Sequence, residues 1–355
     1  MIGKYGGRMD YKIGCSPLGS RNPRTENGGS SKLGMQQRNS ANLTRGEIWA
    51  VGGGKGGTGK SFLAANVGIA LSNQGKRVLL IDADLGCANL HTCLGIDYPE
   101  ATLSDLLTGR IKRIEQAIVP TGIRHLSLIS GAQDILEMAN PKHAQKMRLL
   151  RQIQELDMEY IILDLGAGTS FNILDFFLIA DQGILAVLPE PTSIENVYRF
   201  IKSVFYRKFR KIAREDSVKE IIAKAMDQKN EFGIKTPYDL IEQVARMDEA
   251  VGEQLKKEMY GLRPKLVVNQ VRSRDDITLG FSMRSSCTKY FGITVEYVGY
   301  VEYDDHVWQA TKRRRPMLTE YPMSNSARGI QKVAANLVKR EQLTIDYLLD
   351  TAPRR

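Results

Sequence analysis

Apolar residues along this chain fall into two patterns that alternate. Short unbroken runs occur at Ile48-Trp49-Ala50-Val51, Val78-Leu79-Leu80-Ile81, Tyr160-Ile161-Ile162-Leu163, Ile184-Leu185-Ala186-Val187-Leu188 and Leu266-Val267-Val268. They have the length of strands and no polar face, the form expected of parallel strands covered on both sides. Residues 124–130 and 294–301 read as two further strands. Between the runs, apolar residues recur at helical spacing. Leu63, Val67, Ala70 and Leu71 follow the first run, Thr102 opens a second helix, and Asn140-Pro141 starts a third that extends to about Leu156. In this third helix Pro141 takes the first position, with Met147, Leu150, Ile153 and Gln154 spaced along it. Val197, Ile201, Val204, Phe205 and Ile212 mark another, capped by Thr192 or Ser193. Ile330, Val333, Ala334, Leu337 and Val338 mark the last, beginning near Ser324 or Ser326. Alternation of this kind predicts an α/β fold of three layers with a mostly parallel central sheet.

Three segments fall outside the alternation. Residues 1–45 are rich in Gly, Ser, Asn and Arg without periodic apolar positions, so a disordered basic tail is expected. Residues 215–262 read as a mostly helical insertion within a domain spanning 46–345, and 346–355 as a C-terminal tail.

Composition narrows the picture. The formal net charge is +10, and residues 1–46 carry eight basic residues against Asp10 and Glu26. A second concentration, Arg199 to Arg214, contains seven cations and no acidic residue. Such segments suit peripheral contact with an anionic membrane or nucleic acid, although a helix with one face solvated and the other packed looks the same. The four cysteines form no C-x-x-C pair and the four histidines are scattered, which points to a reducing compartment and to no metal site of the Cys/His type. With no apolar run approaching about 18 residues and no signal-type start, a soluble cytoplasmic protein is expected.

The chemistry lies at the ends of the strand runs. Gly54-x-x-x-x-Gly59-Lys60-Ser61 follows the first run and precedes a helix. This is phosphate-loop spacing: glycines let backbone N–H groups converge on phosphate oxygens, Lys60 reaches the β- and γ-phosphates, and the Ser61 hydroxyl can ligand Mg²⁺. Gly54, Lys55, Gly56, Gly57, Thr58, Gly59, Lys60 and Ser61 therefore form the expected nucleotide site, with the helix N-terminus toward the phosphates. Asp82 and Asp84 end the second run and Asp164 ends the third, where ligands of open α/β sheets bind. A carboxylate there can hold Mg²⁺ through water, orient the attacking water, or cap a turn. Asn269 ends another run.

Lys55-Gly-Gly-Thr-Gly-Lys60-Ser61 resembles the deviant phosphate loop of the MinD/ParA family of ATPases, and Pro189-Glu190-Pro191-Thr192-Ser193 before a helix is similar to the flagellar number regulators of the FlhG/FleN type. The resemblance implies a P-loop NTPase that binds ATP and Mg²⁺, forms an ATP-dependent homodimer, and hydrolyses ATP slowly until a protein activator stimulates it. Its role would be positional regulation such as flagellar placement or number, on the cytoplasmic side or peripherally on the plasma membrane. Lys55 would then reach the partner subunit's nucleotide, and Asp84 would position the attacking water. Asp82 and Asp164 would serve Mg²⁺, with Leu165-Gly166-Ala167-Gly168 as the phosphate-sensing turn, and Asn269 would read adenine. Two other readings stay open: a partition-type ATPase binding DNA through its basic segments, and an ATP-dependent ligase, for which the sequence shows no second catalytic constellation.

Overall fold

The computed structural model describes residues 45–344 apart from 87, 132–140, 214–215, 227–232 and 235. The basic tail up to residue 44, Asn140, Cys87, Arg214 and the final segment 346–355 lie outside the described residues. Among the described residues, eight strands form one sheet: β1 (Glu47–Gly52), β2 (Val78–Asp82), β3 (Val119–Pro120), β4 (Leu126–Ile129), β5 (Tyr160–Asp164), β6 (Gln182–Val187), β7 (Lys265–Val271) and β8 (Glu296–Glu302). Their spatial order is β3-β4-β2-β5-β1-β6-β7-β8, and β3 alone runs antiparallel to its neighbour. The mostly parallel α/β fold read from the unbroken runs is the one observed.

Alternate residues of each run serve opposite faces. Ile48, Ala50, Leu79, Ile81, Ile161 and Leu163 belong to one apolar cluster. Trp49, Val51, Val78, Leu80, Ile162 and Ile184 belong to the other. The second face is covered by the helices Lys60–Ser72 and Asn325–Lys339, through Leu63, Val67, Ile330, Val333 and Leu337. The first is covered by His143–Gln154, Phe171–Leu178 and Pro191–Ile212. Helices at Asp216–Met226, Pro237–Ala245 and Glu249–Gly261 extend the same cluster through Val218, Ile222, Leu240, Val244 and Leu255. They share a core with the sheet instead of building one of their own.

Several local expectations change. The helix expected from Asn140-Pro141 begins at His143, because the Gln145 side chain accepts the Lys142 N–H at 2.9 Å and so starts it two residues after the proline. Its buried face is Lys146, Leu149, Leu150 and Ile153, while Met147 is 44% exposed. In the helix after β6, Glu190 holds the N-cap position without a side-chain cap bond and Pro191 the first helical position, so neither Thr192 nor Ser193 caps it; the Ser193 hydroxyl instead accepts the Leu188 N–H. On the final helix Ser324 is the cap, accepting the Ala327 N–H, and Val338 falls off the buried stripe. Among the described residues no helix is long and apolar enough to cross a membrane.

Candidate nucleotide site

The loop between β1 and the helix Lys60–Ser72 is held from two sides. Gly59 sits at φ 87°, and a Cβ there would lie 2.2 Å from Nδ2 of Asn269. That same Nδ2 donates to the Thr58 carbonyl at 2.9 Å, so the end of β7 clamps the loop backbone. At Gly54 a Cβ would approach the Asn196 carbonyl to 2.2 Å, which brings the helix Pro191–Ile212 against the opposite flank. Glycine is a packing requirement at both positions, and at Gly59 a conformational one as well.

The two loop lysines have separate fates. Lys60 is buried, and its Nζ donates to the Lys55 carbonyl at 3.1 Å. Burial lowers its pKa, and the negative charges of Asp164 and Asp84 oppose that fall. Lys55 turns outward: its Nζ pairs with Glu190 Oε2 at 3.2 Å and donates to Thr192 Oγ1 at 3.1 Å. Glu190 and Thr192 were not expected at the site from sequence. Their signal lay in the proline-flanked turn, whose geometry places both beside the loop.

Asp82 and Asp164 are register partners on β2 and β5. Asp82 is fully buried; Oδ1 accepts the Asp84 N–H at 3.1 Å and Oδ2 the Leu90 N–H at 2.9 Å, and its carboxylate also accepts from Asn89. It thus shapes the segment that carries Asp84. Burial pushes its pKa up to about 7 in spite of these hydrogen bonds, with the Asp84 charge adding to the rise. Asp164 is also raised well above its ordinary value, by burial first and the charge of Asp82 second. A hydrogen bond with Ser61 and the charge of Lys60 oppose the rise. Asp164 Oδ1 is buried without a hydrogen-bond partner. A buried carboxylate oxygen left open beside a serine hydroxyl at the mouth of a phosphate loop fits a Mg²⁺ ion that keeps several waters and takes its other ligands from phosphate. Ser61 and Asp164 are the residues that would hold it.

Asp84 faces the turn after β5. A Cβ built on Gly166 would lie 3.0 Å from its carboxylate, and Asp84 Oδ1 accepts the Gly86 N–H at 3.2 Å. Gly168 in the same turn sits at φ 93°. The turn therefore lies between Asp84 and the helix Phe171–Leu178.

Beyond Asn269 opens a cavity of about 320 Å³, lined by Gly59, Phe62, Asn269, Tyr303, Val307 and Trp308. Asn269 reaches both loop and cavity because the next residue, Gln270, adopts φ 58° where the pairing of β7 with β8 slips. Such a bulge re-aims side chains at a strand end, and nothing in the sequence announces it. Phe62 comes from the helix after the loop, and the other two aromatic members, Tyr303 and Trp308, from a segment that carried no site signal in sequence.

Residues 49–317 match the profile of the CobQ/CobB/MinD/ParA nucleotide binding domain. The chain is 25% identical over 290 residues to the antiactivator FleN of Pseudomonas aeruginosa, covering 81% of this chain and 85% of that protein. Among solved structures it resembles the cell division ATPase MinD of Pyrococcus furiosus, with a TM-score of 0.57 at 24% identity over 83% of this chain and 99% of that one. The septum site-determining MinD of Pyrococcus horikoshii, solved with Mg-ADP, gives 0.58 at 23% identity, with 83% and 96% covered. With the family profile matched over most of its length, the chain belongs to the CobQ/CobB/MinD/ParA nucleotide binding domain family.

Proposed function

We propose that this protein is an ATP- and Mg²⁺-dependent dimerisation switch that hydrolyses ATP slowly and acts in positional regulation, such as the placement or counting of flagella. The observation that carries the switch is the outward lysine. Lys60 is buried beneath the loop, whereas Lys55 is held by Glu190 and Thr192 at the surface, where its ammonium is available to a second subunit. Asp84 is the group that would orient the attacking water, Lys60 would bind the β- and γ-phosphates, and Asn269 and the adjoining cavity would take the base. Bound Mg²⁺ would neutralise phosphate charge. Hydrolysis is slow because orienting a water with one carboxylate leaves developing charge on the γ-phosphate to be met by a partner's cation. The similarity to FleN over most of both chains supports the regulatory role.

Light scattering coupled to size exclusion tests the switch. Wild-type protein should elute as monomer with ADP and as dimer with ATP. Lys55→Ala should remain monomeric with ATP while still binding it. A Lys55→Ala protein that dimerises normally would remove the reading.

A further inference from the structure

We infer that Arg313, Arg314 and Arg315 form a second anion site, remote from the phosphate loop, that binds a phosphate-bearing group. The three arginines line a single cavity of about 410 Å³ beside Leu94, Ile123 and Pro316. They follow directly on the helix Asp305–Lys312, so Lys312 adds a fourth consecutive cation, and all four are exposed. Among the described residues their compensation is slight. Arg315 lies 3.7 Å from Glu320, Arg313 donates to the Tyr321 hydroxyl at 3.3 Å, and Asp97 is the one carboxylate lining the cavity.

Like charges converging on one concavity repel, so their proximity has to be imposed by the fold. Here it is. Arg314 is one of four described non-glycine residues with positive φ, at 52°. Its carbonyl packs so closely on Gly95 that a Cβ there would lie 2.3 Å away. Leu318, just beyond, is fixed by its N–H bond to the buried Asn66 side chain at 2.9 Å. A strained residue held by tight packing within a cationic concavity is where pre-organised binding is found. Guanidinium forks suit phosphate oxygens in pairs, and a phosphate carries enough charge to offset several of them. The apolar wall of Leu94, Ile123 and Pro316 gives the non-phosphate part of such a ligand a surface. This inference does not rest on the assignment of the ATP site.

The phosphate could come from a free metabolite or from a lipid headgroup, and the test separates them. Inorganic pyrophosphate is titrated calorimetrically into full-length protein whose phosphate loop is saturated with Mg-ADP, and in parallel the protein is co-sedimented with phosphatidylglycerol vesicles. The variants are Arg313→Gln/Arg314→Gln/Arg315→Gln and, as a second route, Thr319→Glu, which puts a carboxylate into the cavity lining while leaving the arginines in place. Lys339→Gln, on the final helix, is the charge control. Saturable pyrophosphate binding by wild type, weakened about tenfold or more in both variants and unchanged in the control, supports the site with a soluble ligand. Vesicle binding lost in both variants without pyrophosphate binding supports it with a lipid ligand. Wild-type protein that binds neither probe, or variants that bind as wild type does, would overturn it. Loss of Mg-ADP binding by Lys60→Ala with the arginine site intact would keep the two sites distinct.

Discussion

Asp175 joins three helices on the first face of the sheet, and its removal gives the sharpest test of how this fold is held. The carboxylate is 1% exposed and sits on the helix Phe171–Leu178, directly after the turn that faces Asp84. Lys146 approaches it at 2.5 Å from His143–Gln154; Arg207 donates to both oxygens at 2.9 and 2.8 Å from Pro191–Ile212, and Lys211 lies at 2.7 Å. Asp175→Asn would leave Lys146, with its side chain 7% exposed, buried without its counter-ion. Breaking a buried pair by removing one partner costs about 3 to 5 kcal/mol, and each kcal/mol is worth roughly 2 to 4 °C of Tm in a domain of a few hundred residues. We expect Asp175→Asn to lower Tm by roughly 6 to 20 °C in calorimetry. Lys146→Met should cost far less, because Arg207 and Lys211 still satisfy the carboxylate, and the double variant should recover much of the loss. The pH dependence has a fixed sign. Burial alone would raise the pKa of Asp175, but hydrogen bonds from Arg207, Lys146 and Lys211 outweigh it and hold the folded value below the ordinary one. The stabilisation is therefore fully present above about pH 4, where the unfolded carboxyl ionises, and is lost as pH falls toward the lower folded value. If Asp175→Asn unfolds within 2 °C of wild type, or the wild-type and Asn proteins lose stability in parallel below pH 4, Asp175 does not anchor these helices.

Three further outcomes follow from the site. Gly59→Ala should cut nucleotide affinity by at least about tenfold in calorimetric titration, because a Cβ 2.2 Å from Asn269 Nδ2 forces the clamp off Thr58; unchanged affinity would detach Asn269 from the loop. Asp84→Ala should keep ATP binding yet lower the single-turnover hydrolysis rate about a hundredfold, so that the ATP dimer persists on size exclusion, and a near-normal rate would assign the water to another group. Glu190→Gln should loosen Lys55 and shift ATP-dependent dimerisation to lower protein concentration by a few-fold, since a half-exposed pair contributes about 0 to 1 kcal/mol; no shift in the sedimentation midpoint would mean the contact does not restrain Lys55.

The sheet was legible because parallel strands buried on both faces write unbroken apolar runs, and Trp49 and Ile162 need no polar partner position to betray their direction. The loop from Gly54 to Ser61 was legible for a related reason: phosphate binding demands particular residue types at fixed spacing, and local geometry does the rest. β3 was missed, since two residues ending in a proline carry no period. The role of Glu190 was missed because the contact of Lys55 with it spans 135 positions, and pairing at that distance leaves no trace in local pattern.

The basic run from Arg199 to Arg214 shows how a charge pattern can be answered by counter-ions that lie elsewhere in the chain. Read alone, seven cations without an acid suggest a surface for lipid or nucleic acid. In the structure Arg207 and Lys211 close on Asp175, Lys208 on Glu258 at 2.9 Å, and Arg199 on Glu195 at 2.6 Å. Arg207 and Arg210 stack over the exposed ring of Phe171. Asp175 is a single carboxylate on a helix apolar but for Asn172, Phe-Asn-Ile-Leu-Asp-Phe-Phe-Leu, and a lone buried acid in that setting is unstable without cations supplied from outside. The run supplies them. Among the described residues, Arg207 and Lys211 thus join the helix after the turn that faces Asp84 to its neighbour. The arginines at 313–315 carry the opposite lesson: a shorter run, with few counter-ions among the described residues, keeps its charge facing outward.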